Sequence, residues 1–371
     1  MAVLKRERLV LALNCGSSSL KFGVYRSDGE KAETVCEGEA EEIGRKESTI
    51  SFIDHAGKHV LKKQPQPIAD HSEALARAFD AIDSADVAGP DAVGHRFVHG
   101  GPDLTVHQLL TPEIARRLEN AIDYAPLHTP AALATLHAAE QRLPGIPQVI
   151  CFDTAFHRTM PPISSTYALP AKIRDLGVKR YGFHGLSIES ILAQLPELPP
   201  RMIVAHLGNG SSITAVRDGK SVDTTMGLTP TGGVMMGTRP GDLDPGLSIF
   251  LLRHGVADAA DLEDLFDKQS GLLGVSGFSS DVRELSAQRR MNAQADLALT
   301  MFAYQVRKAV ASMAAVLGGV DSLVFTGGIG EHASDLRNEI CAGLDFLGDL
   351  HTLVVPAQED LQIARNTARL V

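Results

Sequence analysis

The chain has 371 residues, a length that favours two domains over one. A formal net charge of −10 excludes a broad basic surface for nucleic acid but leaves room for a local pocket that binds a small anion. Cys15, Cys36, Cys151 and Cys341 lack the spacing of zinc ligands or of a CxxC pair, and read as free thiols in a reducing compartment. No apolar run approaches the ~20 residues of a membrane span, and the run behind the basic start is too short for a signal-peptide core. A cytoplasmic protein with no membrane and no nucleic-acid partner is expected.

Arg8 to Tyr25, "RLVLALNCGSSSLKFGVY", reads as two apolar strands around a Gly/Ser turn. Glu30 to Leu61 continues in short alternating runs, hence more strand. Ser72 to Ile82 reads as a helix, and "DAVGHRFVHGG" (Asp91–Gly101) as a strand entering a glycine loop. Thr111 followed by Pro112, and Thr129 followed by Pro130, each suggest an N-cap with proline at the first helical position. "QVICFDTAFH" is a buried strand ending in polar residues. Arg201 to Thr225 is strand, Gly/Ser turn, strand, and its "HLGNGSS" echoes the opening "NCGSSS". Two echoing turns suggest a duplicated fold with a cleft between the halves. Leu299, Phe302, Val306, Val310, Met313 and Leu317 step by three and four along one face of a long helix. Ser322 to Ala333 reads as strand, glycine turn and helix start. The final "PAQEDLQIARNTARLV" reads as a helix that packs back on the first half. The class is α/β, and the early run of strands argues against a simple doubly wound sheet.

Glycine lets a backbone approach an anion, and serine hydroxyls and Lys21 add donors and charge. Gly328, Gly330 and Ala333 fit GxGxxA, but the loop comes too late in the chain for a dinucleotide-binding unit to follow it. "DGKS" ends like a phosphate-binding loop, yet Thr214 stands where its first glycine belongs. Arg96 and Arg239 sit in glycine-rich or apolar company, where a planar guanidinium suits carboxylate or phosphate. Asp153 ends an apolar strand, and His184 is flanked by glycines. His95 and His99 have no acidic third ligand nearby, so a histidine metal site is rejected. Phosphoryl transfer fits this inventory best, because it needs positioning and positive charge more than covalent chemistry. A dinucleotide oxidoreductase and an actin-like or chaperone-like ATPase are the competing classes.

"LNCGSSSLKF", "GHRFVHGG", "FDTAFH", "RYGFHGLS", "HLGNGSS", "MGTRPGDLDPG", "SGFSSDVREL", "FTGGIGEH" and "VVPAQEDLQIAR" together resemble the acetate kinase family, in family order and over nearly the whole chain. The resemblance implies two ribonuclease H-like (actin-like ATPase) domains with an interdomain cleft. These are 1–152, completed by a C-terminal helix at 356–371, and a nucleotide-binding domain at 153–355. It implies transfer from ATP to acetate by direct in-line displacement, with propionate or butyrate kinase as the alternative on this scaffold. A route through a phosphorylated Asp153 is the runner-up mechanism. Magnesium is the implied ion, with manganese in its place as an option, ATP/ADP the co-substrate, and a homodimer the implied assembly.

By the same resemblance Asn14 orients groups near the phosphoryl and the metal, and Glu359 is the metal-binding glutamate. Lys21 lies in the nucleotide-phosphate region. Arg96 and Arg239 flank the carboxylate and the phosphoryl, Asp153 positions the acetate, and His184 supports transition-state charge. His206, Leu207, Gly208, Asn209 and Gly210 cradle phosphate. Asp281, Val282 and Arg283, with Gly328, Ile329, Gly330, Glu331 and His332, border the adenosine. Val98, Leu127, Phe183 and Pro230 form the pocket for the acyl methyl. Thr129 and His332 stand where the family usually has asparagine, and Asn366 where it has an acidic residue.

Overall fold

The computed structural model describes residues 6–54 and 60–371. The chain gathers into two compact units. One holds the residues through Ala155 with Gly185–Ser190 and Gln358–Val371; the other holds Phe156–His184 and Ile191–Ala357. The sequence reading placed all of 153–355 in the second unit. Asp153–Ala155 and Gly185–Ser190 pack instead with the first, because the Asp153 amide bonds the Phe97 carbonyl and the Gly185 amide bonds the Asp153 carbonyl.

The first unit is built on an eight-stranded sheet. Its strands are β1 (Arg8–Cys15), β2 (Ser19–Ser27), β3 (Ala32–Glu41), β4 (Thr49–Asp54), β5 (Val60–Pro65), β6 (Ala92–Phe97), β7 (Gln108–Leu109) and β8 (Gln148–Phe152). They lie in the order β5-β4-β3-β2-β1-β6-β8-β7. The strand run expected over Glu30–Leu61 is present as β3, β4 and the start of β5, with residues 55–59 outside the described part. The second unit has five strands, β9 (Arg201–Leu207), β10 (Ser211–Arg217), β11 (Lys220–Thr224), β12 (Ser322–Thr326) and β13 (His351–Val354), in the order β11-β10-β9-β12-β13. The series β3-β2-β1-β6-β8 and β11-β10-β9-β12-β13 share one design: two antiparallel pairings, then two parallel ones. The echo of the Gly/Ser turns is therefore the echo of a whole sheet.

Alternation along each strand decides which face each side chain takes. In the first unit Leu11, Leu13, Phe22, Val93, Phe97, Ile150 and Phe152 enter one core, covered by helices His71–Ser84 and Thr129–Arg142. Val10, Ala12, Tyr25, Val149 and Cys151 enter the other, against Ile363 and Ala364 of helix Glu359–Leu370. That helix lies so close to β6 that a Cβ on Gly94 would run into Thr367 and Ile363. In the second unit Ile203, Ala205, Ile213, Leu323 and Phe325 meet the stripe Leu299, Phe302, Val306, Val310, Met313 and Leu317 of helix Ala293–Leu317. Asn292 caps that helix and Gly318 ends it in the left-handed conformation.

Thr111 caps helix Pro112–Asn120 as expected, its hydroxyl accepting from the Ile114 amide at 3.2 Å. Thr129 does not cap. The chain is already turning when it reaches this point, with the His128 and Thr129 amides both bonded to the Ala125 carbonyl, so the helix starts one residue earlier than the Thr-Pro signal suggests. The four cysteines form no disulfide. No helix among the described residues is long and apolar enough to cross a membrane.

His95, on β6, is buried and bonded through Nε2 to Gln148 Oε1 at 2.7 Å. Burial pushes its pKa down to about 4. An unfolded chain takes up that proton near pH 6.5, so stability present above pH 6.5 is lost as the pH falls toward 4, by about 3 kcal/mol at most. Urea unfolding of His95→Gln from pH 7 to pH 4 is expected to lack this part of the acid slope.

Candidate functional site

The strand alternation that sends Leu13 to one core sends Asn14 to the opposite face. Lys21, Arg96 and Asp153 follow by the same parity on β2, β6 and just beyond β8. All four thus share the face of the first sheet that carries helix Glu359–Leu370. Parallel pairing of β6 with β8 aligns their carboxyl ends, the end where open α/β sheets place ligand-binding groups.

Arg96 binds Asp153 through Nε, 3.2 and 3.1 Å from Oδ1 and Oδ2, and through Nη2, 2.6 Å from Oδ2. Its Nη1 donates to Asn14 Oδ1 at 3.0 Å. One N–H on each terminal nitrogen remains beyond these bonds, directed by a planar fork that suits a carboxylate. Asp153 is 1% exposed. Burial pushes its carboxyl upward while the Arg96 guanidinium pulls the other way. Burial also works against the Arg96 charge, but Asp153 and Glu359 more than offset it and hold the guanidinium above its ordinary value.

Asn14 Nδ2 donates to Asp360 Oδ1 at 2.8 Å and to Glu359 Oε2 at 3.3 Å. Asp360, which the sequence reading passed over, is pushed up to about 6 by burial, with Asn14 and Lys21 opposing. Burial lowers the Lys21 ammonium, but Glu39, Asp360 and Glu359 outweigh it and the net direction is upward. The carboxylates of Glu359 and Asp360 form an oxygen donor set, while Asn14, expected beside the metal, turns its amide nitrogen to them and its oxygen to Arg96. Such a set fits a hard divalent cation that also takes nucleotide phosphates and water. Val98 is buried and Leu127 half-buried in the same unit.

The second unit brings together a different set. His184 stands in the left-handed region (φ 60°, ψ 23°) just before helix Gly185–Gln194. Its Nδ1 lies 2.9 Å from Ser212 Oγ, and its ring stacks on His206 at 4.1 Å. His206 and Ser212 are register partners on β9 and β10. Arg239 is held by the Pro230 carbonyl at 3.1 Å from Nη1. Gly210 keeps both close, for a Cβ there would lie 3.1 Å from His184 Nε2 and 3.6 Å from Arg239 Nη1. Phe183 is buried and its carbonyl takes the His157 ring at 2.9 Å.

A cavity of about 820 Å³ in this unit is lined by Gly208, Asn209, Asp281, Val282, Arg283, Gly328, Ile329 and His332. Five residues grouped with them from sequence lie elsewhere: His206 and Gly210 sit beside His184, and the other three turn inward. Leu207 is core, because its strand parity points it at the long helix. Gly330 is buried behind it, where a Cβ would meet Leu207. Glu331 turns away to accept from the Gly327 and Ala357 amides, each at 3.0 Å.

A profile of the acetokinase family matches residues 9–364. The chain belongs to the acetokinase family. It is 38% identical over 394 residues to the acetate kinase of Oceanobacillus iheyensis, covering 97% of this chain and 98% of that one. To the acetate kinase of Methylocella silvestris it is 39% identical, covering 98% of each. Among solved structures, Porphyromonas gingivalis acetate kinase superposes with a TM-score of 0.86 at 37% identity, covering 98% of this chain and 99% of that one. A propionate kinase from Francisella tularensis superposes at 0.89 with 34% identity, covering 98% and 100%. The α/β fold with two mixed sheets is the fold of this family.

The Arg96–Asp153 pair has a testable energetic signature. Arg96→Met leaves a buried carboxylate without its cation and is expected to cost about 3–5 kcal/mol at neutral pH. Arg96→Met combined with Asp153→Asn removes the stranded charge and is expected to recover most of that loss in denaturant unfolding.

Proposed function

We propose that this chain catalyses reversible phosphoryl transfer between ATP and acetate, giving ADP and acetyl phosphate by direct in-line displacement. The observation that carries the reading is the Asn14–Arg96–Asp153 cluster, in a chain whose family profile spans residues 9–364. The acceptor carboxylate and the phosphoryl group are both anionic, and their repulsion is the main barrier to be offset. The remaining Arg96 N–H groups bind and orient the carboxylate, and the neighbouring Asp153 fixes the guanidinium. Val98, Leu127, Phe183 and Pro230 take the methyl group. Arg239 and His184 stabilise charge on the transferring phosphoryl. The 820 Å³ cavity takes the adenosine, with Gly208 and Asn209 toward its phosphates.

The implied ion is Mg²⁺, which the carboxylates of Glu359 and Asp360 would hold beside Asn14 and which would neutralise charge on the phosphate oxygens. Asp153 is a poor phosphate acceptor, since both its oxygens are engaged by Arg96, and this favours direct transfer over a phosphorylated enzyme. A solved propionate kinase at 34% identity favours one second reading. One methylene is worth only ~1–3 kcal/mol of discrimination, so longer acids are competitors.

Purified protein with Mg-ATP, acetate and hydroxylamine is expected to yield acetohydroxamate; no hydroxamate from acetate, propionate or butyrate overturns the reading. Arg239→Ala is expected to lower kcat on the order of 10²–10³-fold while ADP affinity stays within a few-fold.

A homodimer formed through the second unit is supported by a group of exposed apolar side chains on and beside helix Pro245–Arg253. Leu247, Ile249, Phe250, Leu252 and Val256 are 38–66% exposed there. Light scattering is expected to give twice the chain mass of 39.6 kDa, and Phe250→Asp to shift it toward the single-chain value.

A further inference from the structure

Gly185–Ser190 is a short piece of helix that packs with the first unit, and three fastenings tie it there. At its start the Gly185 amide donates to the Asp153 carbonyl at 2.9 Å. At its end Ser190 Oγ accepts from the Gln358 amide at 3.1 Å, one residue before Glu359. Between them Glu189 reaches two further partners. His107 Nε2 lies 3.2 Å from each of its carboxylate oxygens, and Asn366 Nδ2 donates to Oε2 at 2.8 Å. His107 in turn accepts the Phe152 amide at Nδ1, at 3.1 Å.

Both partners of Glu189 are locked as donors. His107 Nδ1 is occupied as an acceptor, so the neutral ring carries its proton on Nε2 and presents it to Glu189. Asn366 cannot exchange its amide ends cheaply, because its Oδ1 already accepts from Gln362 at 3.0 Å and Arg369 at 3.2 Å. A carboxylate meets these donors with both oxygens, whereas an amide that keeps its oxygen toward Asn366 turns its NH2 against the His107 N–H. His107 and Asn366 hold the Glu189 carboxyl below its ordinary range in spite of burial. Through His107 the carboxylate grips the backbone that delivers Asp153. Through Asn366 it grips the helix that delivers Glu359 and Asp360.

We propose that Glu189 is a positioning residue that fixes the strand end bearing Asp153 in register with the helix bearing Glu359 and Asp360, and so sets the acceptor-carboxylate contacts. This rests on the acyl kinase reading given above. It reaches the reaction only through neighbours, so its loss should fall on the acid and on turnover, not on nucleotide binding.

The test compares Glu189→Gln, nearly isosteric and chosen to fold, with the wild type. Glu189→Gln is expected to raise the KM for acetate on the order of 10-fold and to lower kcat, while the Kd for ADP by calorimetry stays within twofold. Glu189→Gln with Asn366→Asp reverses the donor and acceptor of that bond, and is expected to bring the acetate KM back within threefold of wild type. A merely structural role would move the melting temperature and leave the acetate KM unchanged. An acetate KM within twofold of wild type in Glu189→Gln, or no recovery in the double variant, overturns the proposal. NMR supplies a readout apart from turnover. The Gly185 and Phe152 amide signals and the His107 ring nitrogens should shift in Glu189→Gln, and unshifted signals overturn the proposal. If wild type makes no acyl phosphate while these signals do shift, the acyl kinase reading fails and the positioning contact stands.

Discussion

A guanidinium and a carboxylate brought together at the ends of parallel strands impose a demand that organises the first unit. Asp153 is almost wholly buried, and its charge is tolerable only while Arg96 meets it along both oxygens. That meeting requires β6 and β8 in their observed register, with Arg96 beside Cys151 and Phe97 beside Phe152. Asn14 then has to sit at the end of β1, where its carbonyl takes Arg96 and its amide takes the acids of helix Glu359–Leu370. A one-residue slip in any of these strands would turn its polar residue into the apolar core on the other side. The hydrophobic alternation of the sheet and the polar cluster at its end are therefore one constraint seen from two faces.

Much of this was legible in the chain. The Gly/Ser echo marked a repeated sheet, the Thr-Pro signal at 111 marked a cap, and the steps from Leu299 to Leu317 marked the helix that seals the second core. Strand parity also carries the shared face of Asn14, Lys21, Arg96 and Asp153, a reading available from their apolar neighbours alone. What escaped depends on partners far away in sequence. Asp360 was not singled out from sequence, because its partners Asn14 and Lys21 lie more than 300 residues earlier in the chain. Glu189 and His107 sit 82 residues apart in unremarkable surroundings. Glu331 sat in a glycine-rich loop that invited a ligand, but two orphan backbone amides claimed it first. At Thr129 the local signal was outvoted by a turn that had already begun upstream.

The two hairpin turns, alike in their place in the sheet, differ in build. Gly16–Ser19 separate the paired Cys15 and Leu20, and Gly208–Gly210 the paired Leu207 and Ser211. The Gly16 amide reaches the Ser19 carbonyl, and the Gly208 amide reaches the Gly210 carbonyl. In the first unit the turn is flanked by Asn14 and Lys21, register partners whose side chains face the acids of the last helix. The loop there can carry serines because the polar work is done by flanking side chains. In the second unit the loop is Gly208-Asn209-Gly210, and its first two residues line the 820 Å³ cavity. A Cβ on the third would lie 3.1 Å from His184 Nε2, a tighter approach than the ordinary contact it would make with Arg239. Small residues at the turn leave room beside its backbone, and a chain with net charge −10 would attract an anion through local arrangements of this kind. The difference between the two echoes, serines in one and glycines in the other, is thus the difference between a turn that supports charged side chains at its flanks and a turn that makes room for His184 beside it and a cavity in front of it.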